Sequence, residues 1–175
     1  MVTITISGNP GSGKSTVAKL LEKKLGLRYV YSGMIFRELA KKYKMSLEEF
    51  GKYCEENSEI DKELDTRQLE ILQNGDVILE GRLAGWLAYR DNMPAFKVAV
   101  VADLETRAKR IVQREKGSIE KRKKEILERE KSEVLRYKKY YNIDLEDISI
   151  YDIVIDSGDK TSEEIVDIIL EKLNQ

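Results

Sequence analysis

Gly8-Asn9-Pro10-Gly11-Ser12-Gly13-Lys14-Ser15-Thr16 follows directly on the apolar, β-branched run Val2 to Ile6 and leads straight into Val17, Leu20, Leu21 and Leu25, which recur at helical spacing. A strand, a glycine-rich turn and a helix in that order make a phosphate-binding loop. The glycines let the backbone curl so that several N–H groups converge on one anion, Lys14 bridges the outer phosphates, and the Ser15 hydroxyl is placed to ligate Mg²⁺. The helix that follows points its positive N-terminal end at the same spot. Glycines also serve ordinary turns; what makes this stretch specific is the Lys-Ser pair together with the strand before it and the helix after it. Lys14 is expected in a solvated loop.

Outward from the loop, Gly26 stops the first helix and Arg28 to Tyr31 forms a short strand. Ser32-Gly33-Met34-Ile35-Phe36-Arg37 then opens a helix running to about Tyr43. Ser46 with Glu49 is a capping-box pattern that starts a helix ending near Asn57, and Ile60 to Gln73 is another. Val77-Ile78-Leu79 is a buried-strand run closing on Glu80-Gly81-Arg82, and Phe96 to Val101 is a second continuous apolar strand. A helix from Leu104 to about Gly117 leads, through a polar segment, to a long helix ending near Tyr141. Tyr151 to Ile155 is the last strand, and Thr161 with Glu164 caps a final helix carrying Ile165, Ile168, Ile169 and Leu173. Five strands alternating with helices predict an α/β fold, a parallel sheet with helices on both faces and ligands outside the carboxyl ends of the strands.

The 175 residues suit a single domain, 1–175, with no repeat, no low-complexity segment and no Pro- or Gly-rich linker. Acidic and basic side chains nearly cancel, 32 against 31, so no global field argues for nucleic acid or a membrane. The lone Cys54 cannot form an internal disulfide and no apolar run is long enough to span a bilayer, so a cytoplasmic protein, and a monomer, is expected. There is no histidine. Imidazole acid–base chemistry and His-ligated zinc are therefore excluded, and catalysis must rest on Lys, Arg, carboxylates, hydroxyls and a borrowed metal. Residues 107 to 124 hold nine basic and two acidic side chains. That density repels itself unless a polyanion neutralises it, so the segment from about 113 to 133 is expected to be a lid.

With the phosphate loop, the Ser32-Gly33-x-x-Phe36-Arg37 turn, the stretch Glu80-Gly81-Arg82-Leu83-Ala84-Gly85-Trp86 and the run Arg129-Glu130-Lys131-Ser132-Glu133-x-x-Arg136-Tyr137 in place, the chain resembles the nucleoside monophosphate kinases. The archaeal-type cytidylate kinases are the nearest match, from first strand to last helix. The resemblance implies phosphoryl transfer from ATP to CMP or dCMP with Mg²⁺, a five-stranded parallel sheet of order 2-3-1-4-5, a helical acceptor-binding insert at about 33–74 and a lid. It implies that Ser32 and Arg37 meet the acceptor nucleotide, Arg37 on its phosphate. It assigns Arg82 to the same phosphate, Arg110 and Arg114 to the donor adenine and phosphates, and Arg129, Glu133 and Arg136 to the lid. Compared with bacterial cytidylate kinases, the region between Phe36 and Val77 lacks a long strand-containing insert. The resemblance makes Ser32 and polar residues of the insert, Asp61, Asp65 or Arg67, the candidates for reading the base.

The same residues carry a physical argument. A migrating phosphoryl group spreads charge over its equatorial oxygens, so catalysis is positioning and cationic stabilisation, the work of Lys14, Arg37, Arg82, Arg129 and Arg136. Arg129, Glu133 and Arg136 fall on one face of one helix, where a carboxylate holds two guanidinium groups toward one anion, or forms a solvated salt-bridge ladder. Glu80, ending an apolar strand, either binds a Mg²⁺-bound water or caps the next helix. Trp86 and Tyr89 read as packing; Tyr137, Tyr140 and Tyr141 either stack on a base or close a hinge. Two other functions remain open on sequence alone: another small P-loop kinase with a metabolite acceptor such as dephospho-coenzyme A or shikimate, and a nucleotide-binding regulator or RNA-binding module gripping phosphates with residues 107 to 124.

Overall fold

The computed structural model describes residues 2–175; Met1, the first residue of the expected domain, and the side chains of Leu47 and Glu48 lie outside the description. In chain order the elements are β1 (Ile4–Ser7), α1 (Lys14–Leu25), β2 (Arg28–Tyr31), α2 (Ser32–Lys42), α3 (Leu47–Glu56), α4 (Ser58–Asn74), β3 (Val77–Glu80), α5 (Ala84–Arg90), β4 (Phe96–Val101), α6 (Leu104–Glu115), α7 (Ile119–Tyr141), β5 (Ile153–Asp156) and α8 (Ser162–Leu173). The five strands form one sheet of order β2-β3-β1-β4-β5, every pairing parallel. β1 starts two residues later than the apolar run suggests, because the Val2 N–H is taken by the Asp76 carboxylate rather than by a neighbouring strand.

Both capping boxes form: Ser46 Oγ accepts from Glu49 N while Glu49 returns the bond to Ser46 N, and Thr161 and Glu164 do the same. On one face of the sheet α1 and α8 cover Ile4, Ile6, Val98, Val100 and Ile155 with Val17, Leu21, Ile165 and Ile169. On the other face, Phe50, Ile60, Ile71, Leu79, Trp86 and Leu87 form a second core that unites α2 to α5 with the sheet. A third, small cluster of Ala108, Ile111 and Ile126 joins α6 to α7 as a hairpin standing off the sheet.

The register decides where the site lies. Ile6 pairs with Glu80, Tyr31 with Glu80, and Ser7 with Ala99. The carboxyl ends of β1, β2 and β3 are therefore level, and the phosphate loop, the start of α2 and the Glu80–Arg82 segment leave the sheet side by side.

Candidate active site

The loop from Gly8 to Thr16 is held by close approach and by braces from α6. A Cβ on Gly8 would lie 2.4 Å from the Val100 carbonyl oxygen and 2.6 Å from Ser12 Oγ, and Gly11 has φ +79° with the Arg107 carbonyl 2.7 Å from any Cβ. Only glycine fits at either position. Arg110 Nη1 donates to the carbonyls of Gly11 and Ser12, 3.2 Å each, and its other nitrogen reaches the Ser157 carbonyl at 2.7 Å. Ser157 Oγ adds a 2.6 Å bond to the Ser12 carbonyl. Tying those carbonyls to the outer side leaves the peptide N–H groups for the mouth of the loop, an arrangement suited to an anion. Arg107, buried, donates to the Ala102 carbonyl at 2.9 Å, reaches the Pro10 carbonyl and pairs with Glu130 at 2.6 Å, joining loop, α6 and α7.

At the mouth, Ser15 Oγ donates to Glu80 Oε1 at 2.9 Å, Lys14 Nζ stands 3.9 Å from the same oxygen, and the Tyr29 hydroxyl donates to Glu80 Oε2. Glu80 does not cap α5, whose first turn has no side-chain cap. Lys14 is not solvated as expected. Its side chain is 19% exposed, and burial pulls its pKa down, with the Glu80 carboxylate opposing. Burial, with the hydrogen bond to Glu80, pushes the Tyr29 hydroxyl up, keeping it a proton donor. Among the described residues no three acidic, Cys or His side chains cluster as a metal cage. A magnesium ion bound through one hydroxyl, waters and substrate phosphates fits the Ser15–Glu80 pair; a calcium-type site does not.

Beside this mouth opens a cavity of about 490 Å³, lined by Ser32, Phe36, Gln68, Arg82, Glu133 and Arg136 among others. Helices α2 to α4 form one wall and α7 the other. Glu133, buried on α7, accepts from Arg82 Nε at 2.8 Å and from Arg129 Nε at 3.0 Å. Of the expected trio Arg129, Glu133 and Arg136, all three line the cavity, but Arg136 makes its contacts with Asp61 on α4, 3.9 Å away, and over the Tyr137 ring rather than with Glu133. Arg82, which is remote in sequence, takes its place because the end of β3 faces α7. Arg37 does not line the cavity; its Nη1 donates to the Tyr31 hydroxyl at 2.8 Å, with the guanidinium over the ring. Arg114 pairs with the adjacent Glu115 on an exposed face of α6.

The remaining expectations divide. Arg67 pairs with Glu70 and belongs to a different groove between α2 and α4, so it does not line the cavity beside the loop. Asp61 and Asp65 do line it. Burial raises the Asp65 pKa to about 6 even though the Tyr141 hydroxyl donates to it, and burial also raises Asp61. Trp86 is buried as packing, edge-on to Tyr89, but Tyr89 itself is half exposed. Tyr137 lines the cavity, its hydroxyl pushed to about 12 by burial. The charge argument for the lid fails as stated: Arg122 meets Glu115 and Glu125, and Lys123 meets Glu105 and Glu120, so carboxylates of the same hairpin neutralise much of the basic run.

Sequence reasoning missed Arg107, Ser157 and Gln68. Gln68 had a legible signal, a polar residue on the otherwise apolar stripe Ile60, Leu64, Ile71, Leu72 of α4. Arg107 and Ser157 had none, because each acts on backbone carbonyls far away in the chain.

Known proteins place this architecture. A crystal structure of an uncharacterised protein from Eubacterium ventriosum superposes with a TM-score of 0.75 at 20% identity, covering 100% of this chain and 99% of that one. Shikimate kinase from Bacteroides thetaiotaomicron follows with a TM-score of 0.66 at 14% identity over 99% of each chain, a likeness of fold alone. Sequence relatives are nearer. A protein named cytidylate kinase from Methanocaldococcus jannaschii is 48% identical over 156 residues, 89% of this chain and 88% of its own. One of the same name from Methanopyrus kandleri is 45% identical over 96% of this chain and 91% of its own. The model of the cytidylate kinase-like family matches residues 3–159, which take in the loop from Gly8 to Thr16, helices α2 to α4 and the α6–α7 hairpin, and the chain belongs to that family.

Proposed function

We propose that this protein transfers the γ-phosphoryl group of ATP to CMP, and to dCMP, forming ADP and the corresponding diphosphate. One observation carries the reading: Lys14 and Ser15 of the loop meet Glu80 at the end of β3, and Arg82, two residues further on, lines the adjoining cavity and meets Glu133 there. A phosphate held by Arg82 and Arg129 would thus lie next to the lysine that holds the donor's outer phosphates, as in-line transfer requires.

In this reading the N–H groups of Gly8 to Thr16 and Lys14 hold the donor, Arg110 acting through the loop that it braces. Arg114 must leave Glu115 to meet the donor. Arg82, Arg129 and Arg136 neutralise the charge that develops on the transferred group, and Arg37 leaves the Tyr31 hydroxyl for the acceptor phosphate. Magnesium, when bound, would supply charge neutralisation to the donor phosphates; Ser15 would be its protein ligand, and Glu80 would order Ser15 and hold the metal through water. Residues 113–133, the corner of the α6–α7 hairpin and the first half of α7, form the lid that excludes water. The protein acts in the cytoplasm as a monomer.

A coupled assay of ADP release against CMP, dCMP, UMP, AMP, GMP, shikimate and dephospho-coenzyme A tests the proposal. CMP and dCMP should lead, with UMP weaker and the purine nucleotides poor. AMP as the best acceptor would overturn the cytidylate reading, and shikimate or dephospho-coenzyme A as the best would overturn the nucleotide one.

A further inference from the structure

Gln68 is buried in α4, at the wall of the acceptor cavity. Its Nε2 donates to Asp65 Oδ1 at 3.3 Å, and Asp65 Oδ2 accepts from the Tyr141 hydroxyl. The other end of the amide, Oε1, has no hydrogen-bond partner among the described residues although it is out of contact with solvent. Folded proteins rarely leave a buried acceptor unpaired unless something else brings the donor. The space in front of it is kept open by Gly81: a Cβ there would come within 3.3 Å of Gln68 Oε1 and 3.2 Å of Ser32 Oγ. Two polar oxygens therefore flank a gap at the end of β3 that any larger residue would close.

The amide cannot choose its own polarity. Turning it over would set Oε1 against the Asp65 carboxylate, acceptor against acceptor, and would lose the Nε2 bond. Tyr141, reaching from the end of α7, holds the carboxylate that enforces this orientation. Asp61, the other carboxylate that α4 brings to the wall, is engaged with Arg136. The unpaired side-chain atom that α4 holds at the cavity wall is thus an acceptor.

Building on the CMP kinase reading, we infer that Gln68 selects the acceptor base: its Oε1 accepts a hydrogen bond from the exocyclic amino group of a 4-aminopyrimidine, with Asp65 and Tyr141 as the positioning pair that locks the amide. A 4-oxo pyrimidine presents an acceptor to an acceptor, leaving both unpaired in a buried site, and is rejected.

The test measures kcat/KM for CMP, UMP and the ribonucleoside monophosphate of pyrimidin-2-one, which lacks the amino group, using wild type, Gln68→Met and Tyr141→Phe. Wild type should favour CMP over both others by roughly 10- to 100-fold. Gln68→Met should compress those ratios to within about 3-fold, chiefly by loss on CMP. Tyr141→Phe, which removes the bond that holds the Asp65 carboxylate against the amide, should lower CMP relative to UMP. Calorimetric binding of CMP and UMP without ATP gives a second readout, and Tyr141→Phe carries the test if Gln68→Met does not fold. Ratios unchanged in a folded variant, or an equal fall for all three nucleotides, overturn the role of Gln68 and leave the kinase reading standing. A wild type that uses CMP and UMP equally well also overturns it; a wild type that phosphorylates no pyrimidine monophosphate sinks the function proposed above and this inference with it.

Discussion

Replacing Glu133 by glutamine removes the one negative charge between Arg82 and Arg129 and leaves the shape of the side chain intact. Glu133 is only 5% exposed and Arg82 only 20%, whereas Arg129 is 65% exposed. Breaking a buried ion pair costs about 3–5 kcal/mol, and an exposed pair is worth under about 1 kcal/mol. Partial exposure of Arg82 and the hydrogen bond that glutamine retains bring the expected loss to about 2–3 kcal/mol. For a chain of this size that lowers Tm by roughly 5–10 °C. The carboxylate also competes with an acceptor phosphate for the same two cations, so the variant should bind CMP more tightly and gain more Tm from saturating CMP than wild type does. Thermal unfolding with and without CMP, against a sulfate control, reads both effects. An unchanged Tm, or a smaller CMP-induced gain in the variant, would refute the reasoning that Glu133 stands in for substrate charge.

Lys14→Met should abolish transfer while leaving Tm near wild type, because the lysine is already held as a cation against burial; turnover above a few per cent in a folded variant would contradict this. Gly8→Ala, whose methyl would lie 2.4 Å from the Val100 carbonyl oxygen, should cost more than about 2 kcal/mol and weaken ATP binding, with retention of both arguing against a rigid loop. Asp65, raised from 3.8 to about 6, is protonated in the folded chain at a pH where the unfolded chain is ionised. Stability should therefore rise as pH falls from about 6 toward 4, by up to roughly 3 kcal/mol, and Asp65→Asn should flatten that slope; identical pH profiles in urea unfolding would rule it out.

The elements were legible because their signals are local. The loop Gly8 to Thr16, the capping boxes at Ser46 and Thr161 and the apolar run Phe96 to Val101 each specify conformation within a few residues, and the structure has each of them there. The cationic residue types of the site were legible for the same reason, since the phosphate loop dictates its companions by charge. Helical spacing also placed Arg129 and Glu133 together correctly.

What tertiary structure alone decided is which of those charges meet. Periodicity puts Arg136 on the same helix face as Glu133, but it cannot say that the end of β3 brings Arg82 to that carboxylate, or that α4 draws Arg136 off to Asp61. Nor does local sequence distinguish a solvated Lys14 from a buried one, or an exposed basic run from a hairpin that carries its own carboxylates. The reach of a side chain is a few ångströms while these partners are 23 to 76 positions apart, from Arg107 with Glu130 to Asp65 with Tyr141. Only the level carboxyl ends of parallel strands and the hairpin folded above them bring such residues within that reach, and the orientation of the Gln68 amide follows from the same packing.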